Sequence, residues 1–355
     1  MKLGLVGLPQ VGKRTLFQLL TGQETGLENA KAQTLGLAKV RDDRFERLVN
    51  MYEPKKVTSA QMAFSLLPDL DTDPTGRTDA IKGLEQVDVV CYLARVFEDD
   101  TVFHIEGSVD ARRDISGFCD ELLLIDQMFV EKRLERLEKE KKQPKNSEKA
   151  TRETELMLRL REFLESERPL RHFEFSADDE DLIASYAFLT RKPMVVILNV
   201  GEGQVGDTQF VLDMAEEFDN HGCEWIGVSA RIEQEIEQLE TEERDAFLAD
   251  LELDQPALDR LTLLCYEALG LISYFTVGED EVRAWTVQKG ALAPQAGRVI
   301  HKDIERGFIR AEVMTYDDLV HLGSEQSVKL AGKLMQKGRD SVVDDGDVIH
   351  FLFKV

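Results

Sequence analysis

The chain has 355 residues, 43% hydrophobic and 32% charged, with a formal net charge of −24. That length exceeds one typical domain, and the acidic balance excludes a general polyanion binder, which needs clustered lysine and arginine to neutralise phosphates. Apolar runs such as MVVILNV are too short for a membrane span. The scattered cysteines, Cys91, Cys119, Cys223 and Cys265, fit neither a disulfide framework nor a zinc motif, so a reducing, cytoplasmic setting is expected.

In chain order, KLGLVGL is a short apolar run ending in glycines, and its start directly after Met1 argues against a cleavable leader. VGKRTLFQLLTG reads as a helix with Leu16, Leu19 and Leu20 on one face and Gly22 at its stop. MAFSLLPDL, VDVVCYLARVF, RKPMVVILNV and CEWIGVSA are further strands, and helical segments separate several of them. That alternation predicts an α/β fold with a doubly wound, mostly parallel sheet. Residues 118–168 break the rhythm. Here Leu123, Val130 and Leu137 recur at heptad spacing, QPKNS interrupts, and Leu156, Leu160 and Phe163 form a second stripe. The segment reads as an inserted helical hairpin, either an ordinary packed pair or an exposed recognition arm. After Gly270 strands and turns dominate, and Asp345-Gly346 is a turn into a last alternating strand. The expected organisation is an α/β domain over 1–117 and 169–270, the hairpin over 118–168, and a small α+β domain over 271–355. Basic stretches at Lys132–Lys145 and Lys329–Arg339 read as solvated surface or as local basic contacts.

GLPQVGKRTL, from Gly7, carries the chemistry. In a phosphate loop, glycines let backbone N–H groups curl around phosphate oxygens at a helix N-terminus. The lysine reaches the β and γ phosphates, and a hydroxyl directly after it holds Mg²⁺. Gly7, Gln10, Val11, Gly12 and Lys13 supply the loop and its lysine, and Thr15 is placed for the innermost phosphate. Arg14 occupies the hydroxyl position, and a guanidinium has no lone pair to give a metal. The loop is then either a phosphate site with an altered metal side or a remnant kept for its turn.

The chain as a whole resembles the YchF/Obg-like ATPase family. The loop is similar to that family's GLPNVGKST, and FTVGEDEVRAWTVQKGALAPQAGRVIHKDIERGFIRAEVMTYDDLVHLGS from Phe275, with DGDVIHF near the end, resembles its C-terminal TGS-type, β-grasp domain. FHIEGSVDARRDI from Phe103 and EKRLERLEK also match. The resemblance implies a P-loop NTPase fold, ATP or GTP as ligand, and a ribosome or translation complex as partner. It implies base contacts from Asn199 and Glu202 in NVGE and a base-side loop at Ser229 and Ala230. It matches Thr34 to a first-switch position and His104 to a histidine considered catalytic in the family. It also marks departures: FSLLPDL stands in place of FVDIAGL, so Leu66 replaces a metal-associated Asp and Asp69 a γ-phosphate-sensing glycine. Leu70 matches the hydrophobic residue that the family has in place of a water-orienting glutamine. With Arg14, these changes make Mg²⁺ binding doubtful, leave no metal ligand assigned beyond a possible role for Thr34, and predict slow or absent hydrolysis. The alternatives are an interaction scaffold that no longer binds nucleotide and an active ATPase. Neither a membrane nor free nucleic acid is an expected partner.

Overall fold

The structure, a computed structural model, describes residues 1–24, 33–71, 74–141 and 147–354. The chain forms two compact units, one of Met1–Gly36 with Ala63–Leu258 and the other of Leu37–Met62 with Asp259–Val355. Residues 37–62, which the sequence reading leaves in the α/β domain, group with the C-terminal unit, and so does the stretch from Asp259 to Gly270.

The first unit opens with β1 (Lys2–Val6) and α1 (Lys13–Thr21), and β2 (Thr34–Lys39) follows. The chain next makes α2 (Asp43–Tyr52) and β3 (Lys56–Thr58) of the other unit, then continues as β4 (Gln61–Leu66), α3 (Pro74–Glu85) and β5 (Val89–Arg95). The sheet is six-stranded in the order β2-β4-β1-β5-β6-β7, with β6 at Met194–Asn199 and β7 at Glu224–Val228. β1 pairs in parallel with β4 and β5, and β5–β6 and β6–β7 are also parallel. Every residue of β5 and β6 is buried, because helices cover a parallel sheet on both faces and leave no polar alternation. Tyr92 of β5 stacks on Phe118 with ring centroids 4.3 Å apart, and its hydroxyl donates to the Asp114 carbonyl at 3.0 Å.

Phe118 belongs to α4 (Ala111–Glu140), which begins ahead of the boundary at 118 because the Asp110 side chain accepts from the Arg113 N–H at 3.1 Å. Such a cap is worth about 1 kcal/mol. α5 (Ser147–Glu165) returns beside α4, and the QPKNS break lies largely outside the described residues. Leu123, Val130, Leu137, Leu156 and Leu160 are buried in one core, with Phe163 packed against it. This core extends to Leu170, to Ile183 of α6 (Ala177–Ile183) and to Phe188, so the heptad stripes pack against more than each other. Asp126 fixes the base of the pair, accepting from the Leu189 N–H at 3.0 Å and the Thr190 N–H at 2.8 Å. Arg133 spans Glu153 at 2.6 Å and Glu140 at 2.8 Å. The basic face expected around it is thus partly ion-paired. Leu124, Met128 and Leu158 remain exposed. The unit closes with α7 (Thr208–Glu217), α8 (Ala230–Gln238) and α9 (Thr241–Asp250).

The second unit adds α10 (Ala257–Ala268), β8 (Leu271–Thr276), β9 (Glu281–Gln288), α11 (Ala293–Ile300), α12 (Lys302–Arg306) and β10 (Phe308–Thr315). α13 (Tyr316–Leu322), α14 (Glu325–Leu330), β11 (Met335–Lys337) and β12 (Asp347–Phe353) complete it. Its sheet runs β11-β10-β12-β8-β9-β3, with β3 joining the edge in parallel to β9. Tyr274 and Phe351 meet edge to face at 6.0 Å, and the Tyr274 hydroxyl donates to the Ala296 carbonyl at 2.8 Å. Gly346 takes φ 84°, a left-handed turn that admits glycine readily, as the chain enters β12. The Lys329–Arg339 stretch is not a bare basic patch: Lys333 pairs with Asp318, and Lys337 with Asp344 and Asp347.

Candidate functional site

In an open α/β sheet, ligands bind outside the carboxyl ends of the strands. The chain gathers its glycine loop after β1, the Leu67–Leu70 stretch after β4, Asn199 closing β6 and Ser229 after β7 at those ends. The glycines are required by close approach. A Cβ on Gly7 would lie 2.5 Å from the Leu93 carbonyl oxygen. Gly12 has φ 97°, and a Cβ there would meet Asn199 Nδ2 at 2.4 Å. Gln10 also takes a left-handed φ, 60°. This is the tight curl that turns backbone N–H groups toward an anion.

Asn199, 4% exposed, braces the loop. Its Nδ2 donates to the Val11 carbonyl at 2.9 Å, and its Oδ1 accepts from the Ala230 N–H at 3.1 Å. One amide therefore links the phosphate loop to the start of α8. The Asn199 carbonyl also accepts from the Val96 and Phe97 N–H groups, at 2.9 and 3.0 Å. Glu202 sits in a short 3₁₀ turn, half exposed, and pairs with Arg231 at 2.8 Å. Ser229 is buried at the N-cap of α8 without a side-chain cap bond.

Lys13 lies 4% exposed beneath the loop. Its Nζ donates to the carbonyls of Gly7 (3.2 Å), Leu67 (3.2 Å) and Pro68 (3.1 Å), and contacts Asp69 Oδ1 at 2.7 Å. Burial pulls its pKa below the ordinary lysine value, against the opposing charge and hydrogen bond of Asp69. The neighbouring Arg14 charge pulls the same way. The Leu70 N–H donates to the Gly7 carbonyl at 3.1 Å and closes the β4 end over the loop. Leu66 is buried, and it has no atom to offer a metal. Among the described residues no group of three or more His, Cys, Asp or Glu side chains could hold a metal ion. Thr15 is half-buried in the first turn of α1. Thr34 opens β2, and the residues before Gln33 in the first-switch stretch lie outside the described ones. Of the shortened second-switch stretch, residues 72 and 73 do so too.

His104 is buried, with Nε2 3.1 Å from Asp114 Oδ2. Its Nδ1 accepts from the Glu106 N–H at 3.2 Å. Nε2 and Asp114 Oδ2 lie side by side as buried atoms without a hydrogen-bond partner among the described residues.

Sequence reasoning missed several residues here. Arg95, 1% exposed at the end of β5, donates to the carbonyls of Phe97, Asp99 and Val102 and ties down the loop after the strand. Gln33 reaches the buried Ser65 hydroxyl at 2.6 Å, and Arg231 partners Glu202. A buried arginine ending an apolar strand was visible in VVCYLAR, but its partners are backbone carbonyls, which no side-chain pattern reveals.

The fold and the loop at its strand ends define a P-loop NTPase-type protein. The family model YchF-GTPase_C, described as "Protein of unknown function (DUF933)", matches residues 271–354. The Ribosome-binding ATPase YchF of Bacillus subtilis is 40% identical over 99% of both chains. Obg-like ATPase 1 of Gallus gallus is 35% identical over 99% of this chain and 92% of its own. The solved Schizosaccharomyces pombe YchF GTPase superposes with a TM-score of 0.84 at 30% identity, covering 99% of this chain and 97% of that one. The chain belongs to the YchF/Obg-like ATPase family.

Proposed function

We propose that this chain is a nucleotide-binding regulatory protein that takes ATP, or GTP, at Gly7–Thr15 and Asn199, does so without a firmly held Mg²⁺, and turns it over slowly or not at all. The observation that carries the reading is the asymmetry of the site. On one side Asn199 clamps Val11 to Ala230, keeping the cradle of N–H groups taut. On the other, Arg14 and Leu66, at the two positions that the family resemblance gives to metal-associated groups, bring no side-chain oxygen. The loop amides and Lys13 would hold the phosphates, and the Glu202–Arg231 pair would meet the base. A bound Mg²⁺ would supply charge neutralisation for phosphoryl transfer, and the residues present do not fit it.

The partner we propose is the ribosome or a translation complex, in line with the names of the relatives, engaged through the helical hairpin and the C-terminal unit. The second reading, a scaffold without nucleotide, is favoured by one observation: the Lys13 ammonium is already surrounded by protein oxygens. Calorimetry with ATP, ADP and GTP, with and without Mg²⁺, on nucleotide-stripped protein separates these readings. Binding indifferent to Mg²⁺ is expected. No heat with any nucleotide leaves the scaffold, and brisk Mg²⁺-dependent turnover would overturn the reading of Arg14 and Leu66. Co-sedimentation with ribosomes tests the partner.

A further inference from the structure

Lys13 has three N–H donors and four protein oxygens around them, the carbonyls of Gly7, Leu67 and Pro68 and the Asp69 carboxylate. A phosphate can take this ammonium only if one of these oxygens yields. The carbonyls move only with the backbone, and Gly7 O also accepts from the Leu70 N–H. The Asp69 side chain is 37% exposed and rotates on its own bonds, so it is the partner free to leave.

We propose that Asp69 is a specificity-determining residue, an internal anion that holds Lys13 and biases the site toward nucleoside diphosphates over triphosphates. The inference rests on the nucleotide-binding reading above. Loop amides cradle the α and β phosphates, so a diphosphate forgoes only the lysine's contact to its β-phosphate while Asp69 stays paired, whereas a triphosphate forgoes it on both its β and γ groups. The γ-phosphate depends on the lysine and finds a carboxylate there, so like charges share one cation until Asp69 swings out. A reduced preference for the triphosphate follows from this one side chain, independently of Arg14 and Leu66.

The test is calorimetry of ADP and ATP without Mg²⁺ on the full chain and on Asp69→Asn and Asp69→Ser, with thermal melts establishing that each variant folds. Either variant that folds suffices. The wild type should favour ADP, and the substitution should raise ATP affinity about tenfold, about 1.4 kcal/mol, while ADP affinity stays within about twofold. An unchanged ATP-to-ADP ratio, or equal tightening of both, overturns the assignment and leaves nucleotide binding standing. No heat with either nucleotide in any of the proteins removes nucleotide binding and the assignment with it.

Discussion

The two sides of the phosphate loop are built differently. On the β6–β7 side, Asn199 satisfies two backbone groups with one buried amide, and a Gly12 without a Cβ lets it come close. On the β4 side, Leu66 has no side-chain oxygen to offer a metal, and the Asp69 carboxylate turns to the lysine. The lesson is that a phosphate cradle is made mainly of backbone, which side-chain replacement leaves standing. A metal side is made of side-chain oxygens, which neither an arginine nor a leucine supplies.

Asn199→Ala should break the braced side and have the largest effect. It leaves the Val11 carbonyl and the Ala230 N–H buried and unpaired, at about 2 kcal/mol or more of stability, measurable by urea unfolding, and nucleotide affinity should fall with it. The next effect is on pH and sharpens the role of Lys13. Its folded pKa lies below the unfolded value near 10.5. Between those values the unfolded chain binds the proton that the folded one has released, so stability of the nucleotide-free protein should rise with pH in that window. Phosphate affinity should fall over the same range, because the neutral amine no longer attracts an anion. Chemical denaturation and calorimetry at alkaline pH read the two opposite slopes, and parallel slopes would contradict a buried, phosphate-binding Lys13.

Arg14→Ser combined with Leu66→Asp should restore the metal side. We expect Mg²⁺ to tighten ATP about tenfold in the double variant, about 1.4 kcal/mol, and to do little in the wild type. Indifference to Mg²⁺ in the double variant would move the defect to the shortened switch stretches. The smallest effect is expected of Arg231→Ala, whose exposed pair with Glu202 should contribute under about 1 kcal/mol to stability. Any loss of discrimination between ATP and GTP in that variant would assign the pair to the base.

Much of the fold was legible in the sequence. Apolar runs without alternation marked β5 and β6, the glycines marked a loop between β1 and α1, and Asp345-Gly346 marked the turn before β12. The Asp110 N-cap starts the first hairpin helix at Ala111, ahead of residue 118, because a capping side chain lies outside the heptad pattern that marks the helix in the sequence. α2 and β3 were missed as part of the second unit, since a short parallel edge strand such as Lys56–Thr58 carries little pattern of its own.

By itself the sequence determined the residue types at each point of the loop: glycines where a Cβ would collide, one lysine, and an arginine and a leucine that cannot bind metal. Those follow from local backbone geometry and from the atoms each side chain carries. Only the tertiary structure decided who faces whom. Asp69, after the fourth strand, meets Lys13, after the first, because parallel pairing of β1 with β4 brings their carboxyl ends together. Asp114 meets His104 in a buried turn, and Asn199 reaches across to Val11. Such contacts are set by strand order and packing, which the spacing of residues along the chain does not encode.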